Sequence, residues 1–389
     1  MHALEGVRLI DFGQYLAGPF GPMLLADLGA EVIKVEPVAG DNMRFSGTPF
    51  TGCQRGKRDI ALNIKTPDGL ELAYELVRRA DVVHHNMTLG TADKLGLGYE
   101  KCKEVKPDLV YCNTFAYGYE GPLAHVGGLD PLYQASAGLE YESGAVMHGH
   151  EPLYYRFGMC DASNALLSVV GVLAAVFHQR RTGEGQYVWT SLLDGGTIFS
   201  SDALLRADGS GIERWHLDAG LTGLDPAYRL YETKDGWLQV VALRDEAWET
   251  LCTTMGVDAT LPRADVEPQL EAAFMTNTAM WWWYVLDRAG VPCEIAADMR
   301  GGDLALYDGD HERLGLVTEY EHALLGTMRQ AGNVIDFSET PGNIAGPPPL
   351  VGEHTREILD WLGVDAARQE ELKAAGVVYW PDENYAWPW

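Results

Sequence analysis

Asp161 lies in the run FGMCDASNALLSVVGVLAAV, immediately before the most apolar stretch of the chain, Ala165 to Phe177. An Asp at a helix start is most often a cap that accepts backbone N–H bonds. A carboxylate at the mouth of a buried helix can also act as a covalent nucleophile, with the helix N-terminus keeping it ionised and N–H groups at hand for an oxyanion. These residues alone leave both readings open. Other chemistries have less behind them. The sequence contains no G-x-S-x-G elbow, no G-x-x-x-x-G-K-[ST] loop and no H-E-x-x-H helix. His84 and His85 are adjacent, so on a strand they face opposite ways and cannot hold one metal together. They read as strand-end histidines near a ligand or as structural groups. Cys53, Cys102, Cys112, Cys160, Cys252 and Cys293 form no C-x-x-C pair, which argues against zinc and against a disulfide framework.

The elements that must position these groups begin at the N-terminus. An apolar strand (Val7 to Phe12) meets a turn at Gly18 and Pro19. A helix follows over 20–28, Gly29 ends it, and a second apolar strand (Glu31 to Val35) closes on Glu36. This is a βαβ unit, and in open α/β sheets ligands bind beyond the carboxyl ends of such strands. Glu36 stands where a nicotinamide enzyme places its ribose-binding acid. Yet Gly13, Gly18 and Gly21 lack the G-x-G-x-x-G spacing, and Pro19 removes an N–H that a pyrophosphate would use. A dinucleotide cofactor is therefore disfavoured.

The pattern continues with a helix over 67–80 and strands over 81–85, 108–114 and 188–192, giving a parallel, doubly wound α/β sheet. A connector is expected over 201–224. A hairpin built on Lys234-Asp235-Gly236 follows within 227–241, and then helices that read as a small α+β domain. Strand-like alternation returns over 317–335, and a terminal helix is expected over 352–362. Ala165 to Phe177, at 13 residues, is too short to span a bilayer and reads as a buried helix. The formal net charge is −27, from 29 basic and 56 acidic residues, a balance that repels nucleic acid and anionic membranes. No signal-peptide pattern opens the sequence, so a cytoplasmic protein is expected. Trp281, Trp282, Trp283 and the tail WPDENYAWPW could line an apolar pocket, but their helical or terminal placement favours packing.

Several ordered blocks carry a resemblance. They are LAGPFGPMLLADLGAEVIKVEP (16–37), RGKRDIALNIKTPDG (55–69), ADVVHHNMTLGTADKLGLGYE (80–100), GGLDPLYQASAGL (127–139), the run around Asp161 with TGEGQYV and SLLD, and AGVPCEIA and PPPLVGEHTREIL. In these blocks the chain resembles the class III CoA-transferases, the CaiB/BaiF family of formyl-CoA and carnitine CoA-transferases, over essentially its whole length. The resemblance implies a Rossmann-like large domain built from both chain ends (1–200 and 317–389), joined through a linker (201–224) to a small α+β domain (225–316). It also implies a homodimer of interlocked open rings.

The resemblance further implies CoA transfer between an acyl-CoA and a small organic acid, with coenzyme A as substrate and no metal or redox cofactor. Asp161 aligns with the catalytic aspartate, which forms covalent acyl and CoA intermediates. Asp130 aligns with an acidic residue near the catalytic centre. Tyr15, Leu62, Lys65, Asn86, Met87, Thr91, Lys94 and Leu192 fall at CoA-contact positions, and Lys34, Arg44, Lys57 and Arg58 offer partners for the phosphates. Lys94 replaces an Arg, keeping the charge and losing the bidentate fork. Leu16 stands where the formyl-CoA:oxalate enzyme has Gln, and Ser46 stands near its Trp, which makes oxalate a poor acceptor. The alternative on this fold is an α-methylacyl-CoA racemase. Those enzymes pair a His with the aspartate, and here the corresponding run is Gly128-Leu129-Asp130, without the His.

Overall fold

The computed structural model describes residues 1–299, 303, 306–382 and 385. Most of the aromatic tail after Asp382 lies outside the described residues. The chain divides into two compact units, one of residues 1–137, 155–200 and 305–389 and one of residues 138–154 and 201–304.

The first unit opens as its sequence pattern predicts, with strand β1 (Arg8–Asp11), helix α1 (Phe20–Asp27) and strand β2 (Glu31–Glu36). Next come β3 (Arg58–Leu62), α2 (Pro67–Arg78), β4 (Val82–His85), α3 (Tyr99–Val105) and β5 (Val110–Phe115). The run to residue 197 ends with α4 (Asp130–Ser136), α5 (Met159–Thr182), β6 (Tyr187–Ser191) and α6 (Leu192–Thr197). Six strands pair in parallel in the order β3-β2-β1-β4-β5-β6. The order reverses between β1 and β4, and there the loops beyond the strand ends part to leave a crevice. A seventh strand, Val378–Tyr379, pairs antiparallel with β3. It follows two helices, Thr355–Leu362 and Ala366–Ala374, so the helix expected over 352–362 is not the last element.

Alternate residues of each strand feed two cores, as the two-residue period of a strand requires. Ile10, Ile33 and Val83 pack under α2 with Leu72, Leu76 and Ile358. Leu9, Val32, Val82 and Val110 pack on the other face against α1 and α5, with Leu24, Val169 and Val172. Helix α5 is only half covered. Ala165, Val169 and Val172 are buried, whereas Leu166, Val170 and Phe177 on its other side are 51%, 66% and 63% exposed. The buried helix expected from the sequence is thus buried on one side only. By length and composition alone its 24 residues would also suffice to cross a bilayer, but one side is packed on the sheet.

Charge is buried inside this unit as well. Lys34 meets Asp41 at 2.8 Å, Arg44 meets Glu36 at 2.5 Å, Lys57 meets Asp11 at 2.8 Å and Arg55 meets Asp27 at 2.7 Å. These pairs anchor loops. Lys34 Nζ also donates to Gly13 O, Lys57 Nζ to Pro19 O and Arg55 to the carbonyl of Gly332.

In the second unit an antiparallel sheet runs β10-β9-β8-β7, from β7 (Gly223–Asp225), β8 (Tyr228–Glu232), β9 (Trp237–Val241) and β10 (Cys293–Ile295). The hairpin at Lys234-Asp235-Gly236 forms as expected. Helices pack on it through Trp248, Leu251, Phe274 and Trp282. Trp282 is core and donates its indole N–H to Phe274 O at 2.8 Å, while Trp281 is 46% exposed. Residues 138–154, expected with the large domain, belong to this unit. His148 and His150 reach the carbonyls of Leu217 and Ala219, and Glu142 pairs with His216.

Candidate active site

Helix α5 begins after Gly158, which makes no side-chain cap, so Asp161 is the third helical residue rather than the cap. The first turn of a helix leaves its N–H groups without internal partners. At Asp161 that donor is taken from outside: its N–H binds Asp130 Oδ2 at 2.8 Å. Asp130 is the first residue of α4, 6% exposed, and its Oδ1 accepts from Gln134 Nε2 one turn later on the same helix. The Asp161 side chain is thereby left to the cavity.

That cavity, of about 180 Å³, collects side chains from four loops at the carboxyl edge of the sheet. Tyr15 comes from the β1–α1 turn, Asn86 and Thr88 from beyond β4, Phe115 from the end of β5 and Leu192 from the start of α6. The backbone of Gly127 and Gly128 closes the remaining wall. Close approach explains two glycines. A Cβ on Gly18 would stand 2.8 Å from Asn86 Oδ1, and one on Gly158 would stand 3.1 Å from Leu16 Cδ2 and 3.6 Å from Asp161 Oδ2. The Asn86 amide is bound at both ends to Gln14, accepting from its N–H at 2.9 Å and donating to its carbonyl at 2.7 Å. It clamps the β1–α1 turn as a neighbouring strand would. Tyr15 holds φ at 61°, an uncommon conformation for a residue with a side chain, and its N–H reaches Asp41 Oδ1.

Burial, together with the negative charge of Asp130, pushes the Asp161 carboxyl up to about 7. A carboxylate balanced there is a stronger base and nucleophile than an ordinary surface Asp. It is also still partly ionised at neutral pH.

A second cavity, of about 440 Å³, lies on the other side of the loop after β4. It brings Leu62, Lys65, Met87 and Thr91 together with Val38 and Leu95. Met87 and Asn86, adjacent in sequence, serve different cavities.

The remaining predicted contacts are placed differently. Lys34 and Arg44 are closed inside the ion pairs described above, with 0% and 1% exposure, so the structure assigns them to the scaffold and away from any phosphate. Lys57 is likewise sealed against Asp11, and Arg58 pairs with Glu31 and Glu357. Lys94 is exposed at the end of a short helix and lines neither cavity. His84 and His85 are both buried, which pushes them down to about 4 and about 3. Tyr111 donates to Leu97 O, so His85 Nε2–H donates to the tyrosine oxygen, and Nδ1 accepts the Met87 N–H. His85 therefore sets the loop that carries Asn86 and Met87, while His84 Nε2 meets Ser168 Oγ of α5 at 3.2 Å, and neither histidine lines the Asp161 cavity. Sequence reasoning missed Thr88, Phe115 and Gln134. The signal for Gln134 was its spacing, since i and i+4 on a helix share a face.

The chain matches the family model of CoA-transferase family III over residues 4–355. It belongs to that family. It is 32% identical to human succinyl-CoA:glutarate CoA-transferase, over 96% of this chain and 90% of the human protein. It is also 32% identical to succinyl-CoA:mesaconate CoA-transferase of Haloarcula marismortui, over 94% of this chain and 98% of the relative. In structure it is similar to a CaiB/BaiF family protein from Brucella suis, with a TM-score of 0.79 at 27% identity, covering 93% and 99% of the two chains. The protein is an enzyme of the CoA-transferase class, acting on CoA thioesters and carboxylates.

Proposed function

We propose that this enzyme moves CoA from an acyl-CoA to a small carboxylic acid through covalent intermediates on Asp161. The observation that carries the reading is the Asp161 carboxyl, raised by burial and by Asp130, facing a small cavity at the sheet's switch point with its backbone tied down behind it.

In the first step an Asp161 carboxylate oxygen attacks the thioester carbonyl. The C–S bond breaks, CoA leaves as thiolate, and an acyl–aspartyl anhydride remains. The thiolate then attacks the aspartyl carbonyl. The donor acid departs with one former Asp161 oxygen, leaving an aspartyl-CoA thioester. The acceptor carboxylate attacks that thioester and expels CoA, and the thiolate attacks the acceptor's own carbonyl in the new anhydride. The new acyl-CoA leaves, and Asp161 regains a carboxylate carrying one acceptor oxygen. A carboxylate can do this because it is both nucleophile and leaving group.

The cleft at Leu62, Lys65, Met87 and Thr91 is suited to the nucleotide end of CoA, with the thioester passing the post-β4 loop into the smaller cavity. A cavity of about 180 Å³ suits a short acyl group better than a long fatty chain. Succinyl-CoA, the donor named for several curated relatives, is the first donor to offer, with glutarate and mesaconate as acceptors. The assembly we propose is an interlocked homodimer of large and small domains, acting in the cytoplasm. The test is a donor and acceptor panel read by mass spectrometry, run in deuterated water. Transfer without α-proton exchange supports the reading; α-proton exchange in the absence of any acceptor would replace it with racemase chemistry.

A further inference from the structure

Gln134 presents an unusual hydrogen-bond account. Its side chain is 1% exposed, and both protons of its Nε2 are used, one on Asp130 Oδ1 and one on Phe157 O at 2.8 Å. Both neighbours can only accept, so the amide must point its nitrogen at them. Its own carbonyl oxygen, Oε1, is then left buried without a partner. An orphaned buried acceptor is costly, and such groups in a folded protein call for a reason. Here the reason lies in what the two donated bonds hold. Phe157 begins the turn into α5, and Asp130 binds the Asp161 N–H with its other oxygen. One amide thus ties together the carboxylate behind the nucleophile and the backbone in front of it.

We infer that Gln134 is a positioning residue: it holds the Asp130 carboxylate in register on the Asp161 N–H, and so fixes how the Asp161 side chain faces the cavity and the carboxylate behind it. This rests on the assignment of Asp161 as nucleophile. The titratable groups around Asp161 are Asp130, which acts on it, and Tyr133 of α4 and Cys160 of its own helix, on which it acts, while Asp194 of α6 is engaged with Ser191. Of these only Asp130 adds to burial in raising the proton affinity of Asp161. Loss of the amide donors would free the Asp130 carboxylate to turn away from the Asp161 N–H. Its repulsion of a charged Asp161 would then weaken, and Asp161 would ionise at lower pH.

Two variants test this. In Gln134→Met, kcat is expected to fall about ten- to a hundredfold, the scale of a misplacement near 1 Å. KM for acyl-CoA should stay within about twofold, and the acid limb of kcat/KM should move to lower pH. In Gln134→Glu a single shared proton can still bridge to Asp130, and it is lost as pH rises. Activity relative to the parent should therefore be highest on the acid side and decline toward the alkaline side. Asp130→Asn, which keeps an acceptor for the Asp161 N–H and removes the charge, should shift the acid limb downward like Gln134→Met, even if one Gln134 variant fails to fold. If the Gln134 variants that fold lose the same factor at every pH, or lose only thermal stability, Gln134 is structural and the inference falls. The parent enzyme decides separately about the nucleophile, since a CoA adduct trapped on its Asp161 peptide upholds that assignment whatever the variants do.

Discussion

Asp11 and Asp161 are carboxylates of the same unit, both near the carboxyl edge of the main sheet, and their surroundings are opposite. Asp11 is wholly buried. Burial alone would raise its proton affinity, but Lys57 at 2.8 Å and Lys34 beyond it hold the carboxyl below its usual range. The Gly13 N–H completes its shell. Among the described residues Asp161 makes no ion pair; the charged neighbour that acts on it is another carboxylate, Asp130, and it is pushed up to about 7. Where the fold buries charge to fasten the β1–α1 turn, it pairs each acid with a base. Where it presents a carboxylate to a ligand cavity, it withholds the base and braces the backbone instead. On the function proposed above, the difference separates scaffold from chemistry, and it can be probed from both sides.

The largest effect is expected at Asp161 itself. Asp161→Ala should lower transfer by at least about 10³-fold, as loss of a covalent nucleophile does. Folding and CoA binding should remain, checked by circular dichroism and by titration calorimetry with CoA. Turnover within tenfold of the parent would break the comparison. At the paired site the loss should appear in stability. Lys57→Met strands Asp11 without its partner and should cost about 3–5 kcal/mol in denaturant unfolding. Asp11→Asn added to it should restore part of that, as a double-mutant cycle would read.

A smaller effect sharpens the contrast. A carboxyl with a raised folded-state pKa contributes stability below the unfolded value near 4 and loses it as pH climbs through about 7. Asp161→Asn should therefore be more stable than the parent by about 1–3 kcal/mol at about pH 8, with the gap narrowing as pH falls and closing near about pH 4. Thermal melts at the two pH values check this, and a gap of constant size would contradict it. The smallest expected change is in the pH profile. The parent's kcat/KM should have an acid limb near 7, and Asp130→Asn should move it down by about one unit.

Much of the fold was legible in the sequence because its signals are local. The opening βαβ unit, α2 and the Lys-Asp-Gly hairpin each carry their own periodicity and turn residues. Val378–Tyr379 carries none: two residues cannot show a period, and their strand exists only because β3 offers an edge. Residues 138–154 were assigned to the wrong unit because their ties, such as His150 to Ala219 O, are to distant backbone that no local pattern announces. The site followed the same division. Asp161 and the cavity members Tyr15, Asn86 and Leu192 could be reached through ordered motifs. Lys34 and Arg44 read as phosphate partners in the sequence because a positive charge there does not reveal the buried Asp41 or Glu36 that it meets in the structure. The brace at Gln134 was visible as spacing but not as function, since its meaning depends on a carbonyl of Phe157 brought in from the next element.

The claim that an Asp161 oxygen passes into the substrate is tested most directly by isotope transfer. The enzyme is turned over with an accepted acyl-CoA and an acceptor acid labelled with oxygen-18 in its carboxylate, then quenched and digested, and the peptide containing Asp161 is weighed. A catalytic cycle through aspartyl anhydrides leaves label on that carboxylate and nowhere else in the chain. An unlabelled Asp161 peptide after proven turnover would contradict the account.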